Sequence, residues 1–193
     1  MLLSTNITDD AVTLRPFRVE DATQLYEAVR ESLAELKSWM SWAHDGYSME
    51  EAEGFIKITR ARWEEKTLFA FAITDSKTGE ILGGCSLSHK NPVYHYCNVG
   101  YWVRTSRHGA GIAGRAVLLA ARYGFEYGGI IRAEIVAAVG NERSRRVAEK
   151  IGAHYEGILL NRMVVGKTVY DAYMYSIIPQ DFGLGARIQL WPH

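Results

Sequence analysis

The sequence predicts a mixed α/β domain, and three observations carry that expectation. Runs of alternating apolar and polar residues are interspersed with apolar residues at helical spacing. Their order is strand, two helices, three strands, helix, strand, helix, two strands. The segment Val99 to Gly114, VGYWVRTSRHGAGIAG, joins an apolar strand to a helix through a glycine-rich turn. The strand-helix-strand unit centred there has to be a right-handed parallel crossover.

Ala11 to Arg15 alternates as a short strand does, and Pro16, without an N–H, stops its pairing. Ala22, Leu25, Tyr26, Val29 and Leu33 line one face of a helix, after which Glu35 to Gly46 carries Trp39, Met40 and Trp42 into a loop. Ser48-Met49-Glu50-Glu51 is a capping box, and Ala52, Phe55, Ile56, Thr59 and Trp63 continue it as a second amphipathic helix. Phe69 to Thr74 and Ile81 to Ser88 flank the turn residues Asp75 to Glu80, which predicts an antiparallel hairpin. Val99 to Arg104 is a strand, and Gly111 to Tyr127 is a helix ended by Gly128-Gly129. Arg132 to Val139 is strand, Asn141 to Ile151 helix stopped by Gly152, and Tyr155 to Val165 with Thr168 to Ser176 a last hairpin around Gly166-Lys167.

With 193 residues and 48% hydrophobic content the chain suits one core, expected over residues 11–180 with 181–193 as a C-terminal tail. Lys and Arg number 22 and Asp and Glu 22, so no basic field points to nucleic acid. Cys85 and Cys97 match no metal-ligand spacing and fit free thiols of a reducing compartment, and no metal is expected. The N-terminus lacks the basic and apolar regions of a leader, and no long apolar run suggests a membrane, so the expected location is the cytoplasm. Apolar residues on the last strands would suit a homodimer.

Gly109, Gly111 and Gly114 let backbone approach a ligand with no Cβ in the way, and the first amides of the following helix supply donors for a phosphate. Gly109 to Gly114 also satisfies G-x-G-x-x-G, with Glu134 twenty residues beyond. That dinucleotide fingerprint belongs in the first strand-helix unit of an alternating fold, whereas three strands and two helices precede it here. Asn141 and Ser144 read as a helix N-cap and its third residue. Arg143, Arg145 and Arg146 form either a phosphate grip, with Arg146 the choice, or a solvated helix face.

Within this frame, His108-Gly109-Ala110-Gly111-Ile112-Ala113 resembles the Arg/Gln-x-x-Gly-x-Gly/Ala signature of the GCN-five-related N-acetyltransferases. Asn141-Glu142-Arg143-Ser144 followed by Val147 to Ala153 is similar to that family's Asn-x-x-Ser block and the helix after it. Leu14-Arg15-Pro16-Phe17, Leu36 to Trp42 and Val99 to Val103 are similar to the RimJ/RimL branch, which includes acetyltransferases of ribosomal-protein N-termini. The ordered set spans roughly Val12 to Gln180. It implies the acyl-CoA N-acyltransferase fold, a mixed and mostly antiparallel sheet with splayed central strands and about four helices.

The resemblance implies acetyl-CoA as cosubstrate and direct transfer to the amine of a protein N-terminus or a small molecule. Gly109, Ala110, Gly111, Ile112, Ala113 and Gly114 would hold the diphosphate. The backbone of Trp102, Val103 and Arg104 would pair with the pantetheine arm, Val103 lying nearest the thioester oxygen. Asn141 would bond the pantetheine and Ser144 the sulfur. His89 at a strand end, then Asp171 and Tyr173, are candidates to take the amine proton, and Tyr26, Trp39, Trp42 and Tyr173 to line the acceptor site. Two positions depart from the pattern: His108 replaces Arg or Gln, and Met163 replaces a glutamate of RimL-type relatives. The second departure leaves open a non-catalytic acyl-CoA sensor, beside a polyamine or antibiotic acetyltransferase.

Overall fold

The computed structural model describes residues 6–185, so the tail expected at 181–193 lies outside the described residues from 186 onward. Eight strands and four helices follow in the order β1 (Ile7–Thr8), β2 (Val12–Pro16), α1 (Ala22–Trp39), α2 (Met49–Glu64), β3 (Phe69–Asp75), β4 (Ile81–Asn91), β5 (Tyr96–Val103), α3 (Ile112–Tyr127), β6 (Arg132–Ala138), α4 (Glu142–Lys150), β7 (His154–Val165) and β8 (Thr168–Ile177). They build one eight-stranded sheet ordered β1-β2-β3-β4-β5-β6-β8-β7, antiparallel throughout except between β5 and β6.

Against the sequence reading, β4 runs on from Ser88 to Asn91 and β5 starts at Tyr96 rather than Val99, and the first two strands differ as well. β1 is two residues long, too short for a periodicity to register. Pro16 does not end β2 ahead of itself. It is the strand's last residue, opposite Phe71, where a missing N–H costs only a terminal ladder position. The entry into α1 is fixed by charge: Arg15 reaches both carboxylate oxygens of buried Asp21 at 2.6 and 2.8 Å, and Asp21 also accepts from the Arg18 amide at 2.7 Å. α2 starts at the expected capping box, with the Ser48 amide donating to Glu51 Oε2 at 2.9 Å and the Glu51 amide to Ser48 Oγ at 3.4 Å.

The sheet divides bulk between its faces. On β3, β4 and β5, alternate residues Phe69, Phe71, Cys85, Leu87 and Val99 pack with Ala116, Val117 and Ala120 of α3 into the larger core. The intervening positions are small, Ala70, Ala72, Gly84, Ser86 and Gly100, and face α1 and α2. Trp102 breaks that series, and Gly84 makes room for it: a Cβ there would lie 2.8 Å from the Trp102 indole nitrogen.

Candidate active site

The site begins where the parallel pair separates. β5 and β6 pair only through Tyr96, Cys97 and Asn98 with Arg132, Ala133 and Glu134. Beyond Asn98, β5 stays on β4 as far as Val103, and β6 stays on β8 as far as Ala138. A cleft therefore opens at their C-terminal ends, the usual position for ligands of such sheets. The Arg104 amide donates to the Leu82 carbonyl at 2.8 Å, so alternation commits Arg104 and Trp102 to β4 and turns the backbone groups of Val103 and Tyr101 into the cleft. Of the three residues expected to splay, only Val103 turns its backbone to the cleft, and it offers the amide alone, since its carbonyl accepts from His108 Nε2. The Arg104 side chain is likewise engaged, by Glu31 and Glu80.

At the mouth of the cleft the chain enters α3 through residues 109–111. Gly109 and Gly111 have φ of +83° and +74°, values that disfavour any other residue, and open space surrounds both. The first bond of α3 runs from the Arg115 amide to the Gly111 carbonyl at 3.2 Å, so the amides of Ile112, Ala113 and Gly114 precede the helix's own ladder. Gly114 serves a different purpose from its neighbours. A Cβ there would sit 2.7 Å from Ile151 Cγ2, so this glycine lets α3 approach the end of α4.

Across the cleft, Asn141 caps α4, its Oδ1 accepting from the Ser144 amide at 3.1 Å. Ser144 Oγ lies 2.9 Å from the Tyr101 hydroxyl, which also donates to the Ser144 carbonyl at 3.2 Å. Burial pushes the Tyr101 phenol up to about 12, so it keeps its proton at any neutral or mildly alkaline pH. Tyr101 is the functional candidate the sequence reading passed over. It stood inside a quoted motif, VGYWV, but only the pairing of β5 across to α4 reveals its partner.

His108 does not point into the cradle. Its Nε2–H donates to the Val103 carbonyl at 2.8 Å, while Nδ1 lies 3.0 Å from an Arg143 amine and 3.3 Å from Glu35. Arg143 pairs with Glu35 and Arg145 with Glu142 and Glu149, and among the described residues exposed Arg146 makes no such pair. Cys85 and Cys97 are both buried, and burial raises each thiol to about 12. Neither is a nucleophile at neutral pH.

Behind β4 and β5, on the α1/α2 face, lies a cavity of about 570 Å³, within the usual range for small-molecule sites. Trp42, Tyr47, Phe55 and Trp102 are among its walls. Trp42, one of the acceptor-site candidates, lines this cavity, and Tyr26, another, stacks on Tyr47 of its wall with ring centroids 6.3 Å apart. Trp39 and Tyr173 do not reach it. Trp39 packs against Tyr170 and the Cα side of Gly140, and Tyr173 lies under Arg145, whose guanidinium is 5.8 Å from its ring. His89 is also elsewhere: it sits six residues along β4 from Gly83, the partner of Val103, which is roughly 20 Å at strand rise. Its φ of +51° belongs to the irregularity between Ser88 and Asn91, and its nearest polar contact is Ser88 Oγ at 3.1 Å. Asp171 spends a carboxylate oxygen on the Asn161 amide at 2.8 Å.

The splayed mixed sheet with a glycine turn at the cleft mouth falls within residues 11–154, which match the acetyltransferase (GNAT) domain family. The chain belongs to that family and is an N-acetyltransferase by class. Among its relatives is a Bacillus subtilis protein described as "Putative ribosomal N-acetyltransferase YdaF", 28% identical over 90% of this chain and 94% of that one. A Vibrio cholerae structure described as a "putative ribosomal-protein-serine acetyltransferase" superposes with a TM-score of 0.79 at 26% identity, covering 93% of this chain and all of that one. The Microcin C7 self immunity acetyltransferase MccE, solved with acetyl-CoA and AMP, shares the fold at a TM-score of 0.81 and 22% identity, over 88% and 93% of the two chains.

Proposed function

We propose that this acetyltransferase moves the acetyl group of acetyl-CoA directly onto a primary amine. The observation that carries the reading is the cleft itself: one wall offers the backbone of Val103 and Tyr101, one end the amides of residues 109–114, the other the Tyr101–Ser144 pair. The amides of Gly109, Ala110, Gly111, Ile112, Ala113 and Gly114, at the positive end of α3, bind the diphosphate, and Arg146 the adenosine phosphate. The Val103 amide meets the charge that builds on the thioester oxygen. Asn141, whose Oδ1 is used in the cap, turns its side-chain N–H groups to the pantetheine arm.

The C–S bond breaks as the N–C bond forms. The amine releases its proton to water, Tyr101 gives its own to the departing sulfur with Ser144 orienting that hydroxyl, and the Tyr101 phenolate takes a proton back from water. No covalent enzyme intermediate is involved, in keeping with the two high thiol values. The names of the YdaF and Vibrio cholerae relatives favour a ribosomal-protein N-terminus as the acceptor. The reading extends to a cytoplasmic location and to self-association through β7, whose Tyr155, Leu160 and Val164 are exposed.

The test is a melting curve recorded with acetyl-CoA, CoA and NAD separately, followed by thiol release with amines. Stabilisation by acetyl-CoA and CoA alone, with thiol release, is the expected result. Stabilisation by NAD only would sink the reading, and acetyl-CoA binding with no turnover on any amine would leave an acyl-CoA sensor.

A further inference from the structure

We infer that the acceptor amine carries a large, ring-bearing apolar group seated in the cavity between the sheet and α1/α2; this rests on the acetyl-transfer reading above. The cavity exists because of a pattern in three adjacent strands. Ala70, Gly84, Ser86 and Gly100 present almost no side chain on the face where their neighbours' partners, Phe71, Leu87 and Val99, fill the opposite core. Large side chains stand around that bare floor: Phe17 against Phe55 with centroids 5.3 Å apart, and Trp42 within 6.3 Å of both Trp102 and Tyr47. The floor includes Gly100 and Tyr101 of β5, the strand whose other edge faces the cleft. An amine entering with its ring in the cavity therefore arrives beside the groups that handle the acetyl carbon.

The walls also select against other amines. Glu51 is the sole charged residue among those lining the cavity, and both its oxygens are engaged, Oε1 with His44 at 2.8 Å and Oε2 with the Ser48 amide at 2.9 Å. A second ammonium of a polyamine would have to share that one already bonded carboxylate and otherwise face apolar wall. An N-terminal serine or alanine leaves most of about 570 Å³ of apolar wall unfilled. At the rim Trp42, Phe55 and Ile58 are 42, 41 and 54% exposed, an uncovered apolar collar that a ring would bury.

The chemistry has two sources, a free arylalkylamine or a chain beginning with an aromatic residue. The experiment measures kcat/KM by thiol release at saturating acetyl-CoA for 2-phenylethylamine, a Phe-initiated tripeptide, ethylamine, spermidine, and Ser- and Ala-initiated tripeptides. Acetyl-CoA binding is measured in parallel by calorimetry. The ring-bearing acceptors are expected to exceed their small counterparts by at least about tenfold. Trp42→Ala and Phe55→Ala, both at partly exposed rim positions, are each expected to shrink that ratio to below about threefold with acetyl-CoA binding retained. Preference for phenylethylamine assigns a small-molecule acceptor and preference for the Phe peptide a chain terminus, and either supports the inference. Equal or inverted ratios with acetyl-CoA bound overturn it while leaving acetyl transfer standing. Absence of acetyl-CoA binding overturns both.

Discussion

Replacing Tyr101 with Phe removes one oxygen and keeps the ring, which makes it a sharp test of the proton path. The hydroxyl holds two contacts, Ser144 Oγ at 2.9 Å and the Ser144 carbonyl at 3.2 Å. Losing them costs the fold about 1 kcal/mol, worth roughly 2–4 °C in melting temperature for a domain of this size. Losing a proton donor to the leaving sulfur costs far more in rate: a positioned acid contributes on the order of a hundredfold or more, about 2.7 kcal/mol of barrier. The Val103 and Tyr101 backbone proposed to hold the pantetheine arm is untouched, so KM for acetyl-CoA is expected to stay within about twofold. The assay is steady-state thiol release beside a thermal melt. Because the phenol is held near 12, the wild-type rate should show no falling limb from its ionisation up to pH 10. A kcat within about threefold of wild type in Tyr101→Phe would refute the assignment of Tyr101 as donor.

The two kinds of glycine in the turn should separate cleanly. Gly114→Ala drives a Cβ against Ile151 and is expected to cost roughly 1–3 kcal/mol in urea unfolding with CoA affinity retained. Gly111→Ala, at φ +74° in open space, is expected to cost about 1–2 kcal/mol and to weaken CoA binding in calorimetry as well. Asp21→Ala strands the buried Arg15 guanidinium and should cost about 3–5 kcal/mol of unfolding free energy. The Arg104 guanidinium beside Glu31 lowers that carboxyl from 4.5 to about 2, so its stabilisation is complete above pH 4.5 and disappears as pH falls toward 2. Glu31→Gln should therefore flatten the loss of stability between pH 5 and 3, read as urea midpoints.

Much of the frame was legible because local chemistry writes it. The Ser48–Glu51 box, the turn at Asp75 to Glu80, and the Gly111 start of α3 each appear where short-range rules put them. What escaped depends on pairing between distant segments. His89 was placed at a strand end, and sequence alone does not say which end of the sheet carries the cleft. Trp39 and Trp42 are three residues apart, yet one closes on Tyr170 and the other on Trp102, a division made by the end of α1 falling between them. Tyr101 and Ser144 meet only after forty-three residues of crossover. The Phe69-Ala70-Phe71-Ala72 alternation, with bulk on one side and almost nothing on the other, did carry a signal for the cavity, but its meaning required Gly84 and Gly100 alongside.

The three residue pairs that join β5 to β6 are the whole ladder between two half-sheets, β1 to β5 on one side and β6 to β8 on the other. An eight-stranded sheet with so narrow a seam is two leaves on a short spine, held on one side by a single core that both share with α3. The spine sets the angle, and the outer pages stay apart because Val103 and Ala138 have no strand between them. A guest with amide groups of its own, laid along that gap, supplies the missing rung-makers and stiffens the joint between the leaves. Slowed hydrogen exchange on ligand binding should accordingly spread through both half-sheets, well past the residues that are touched.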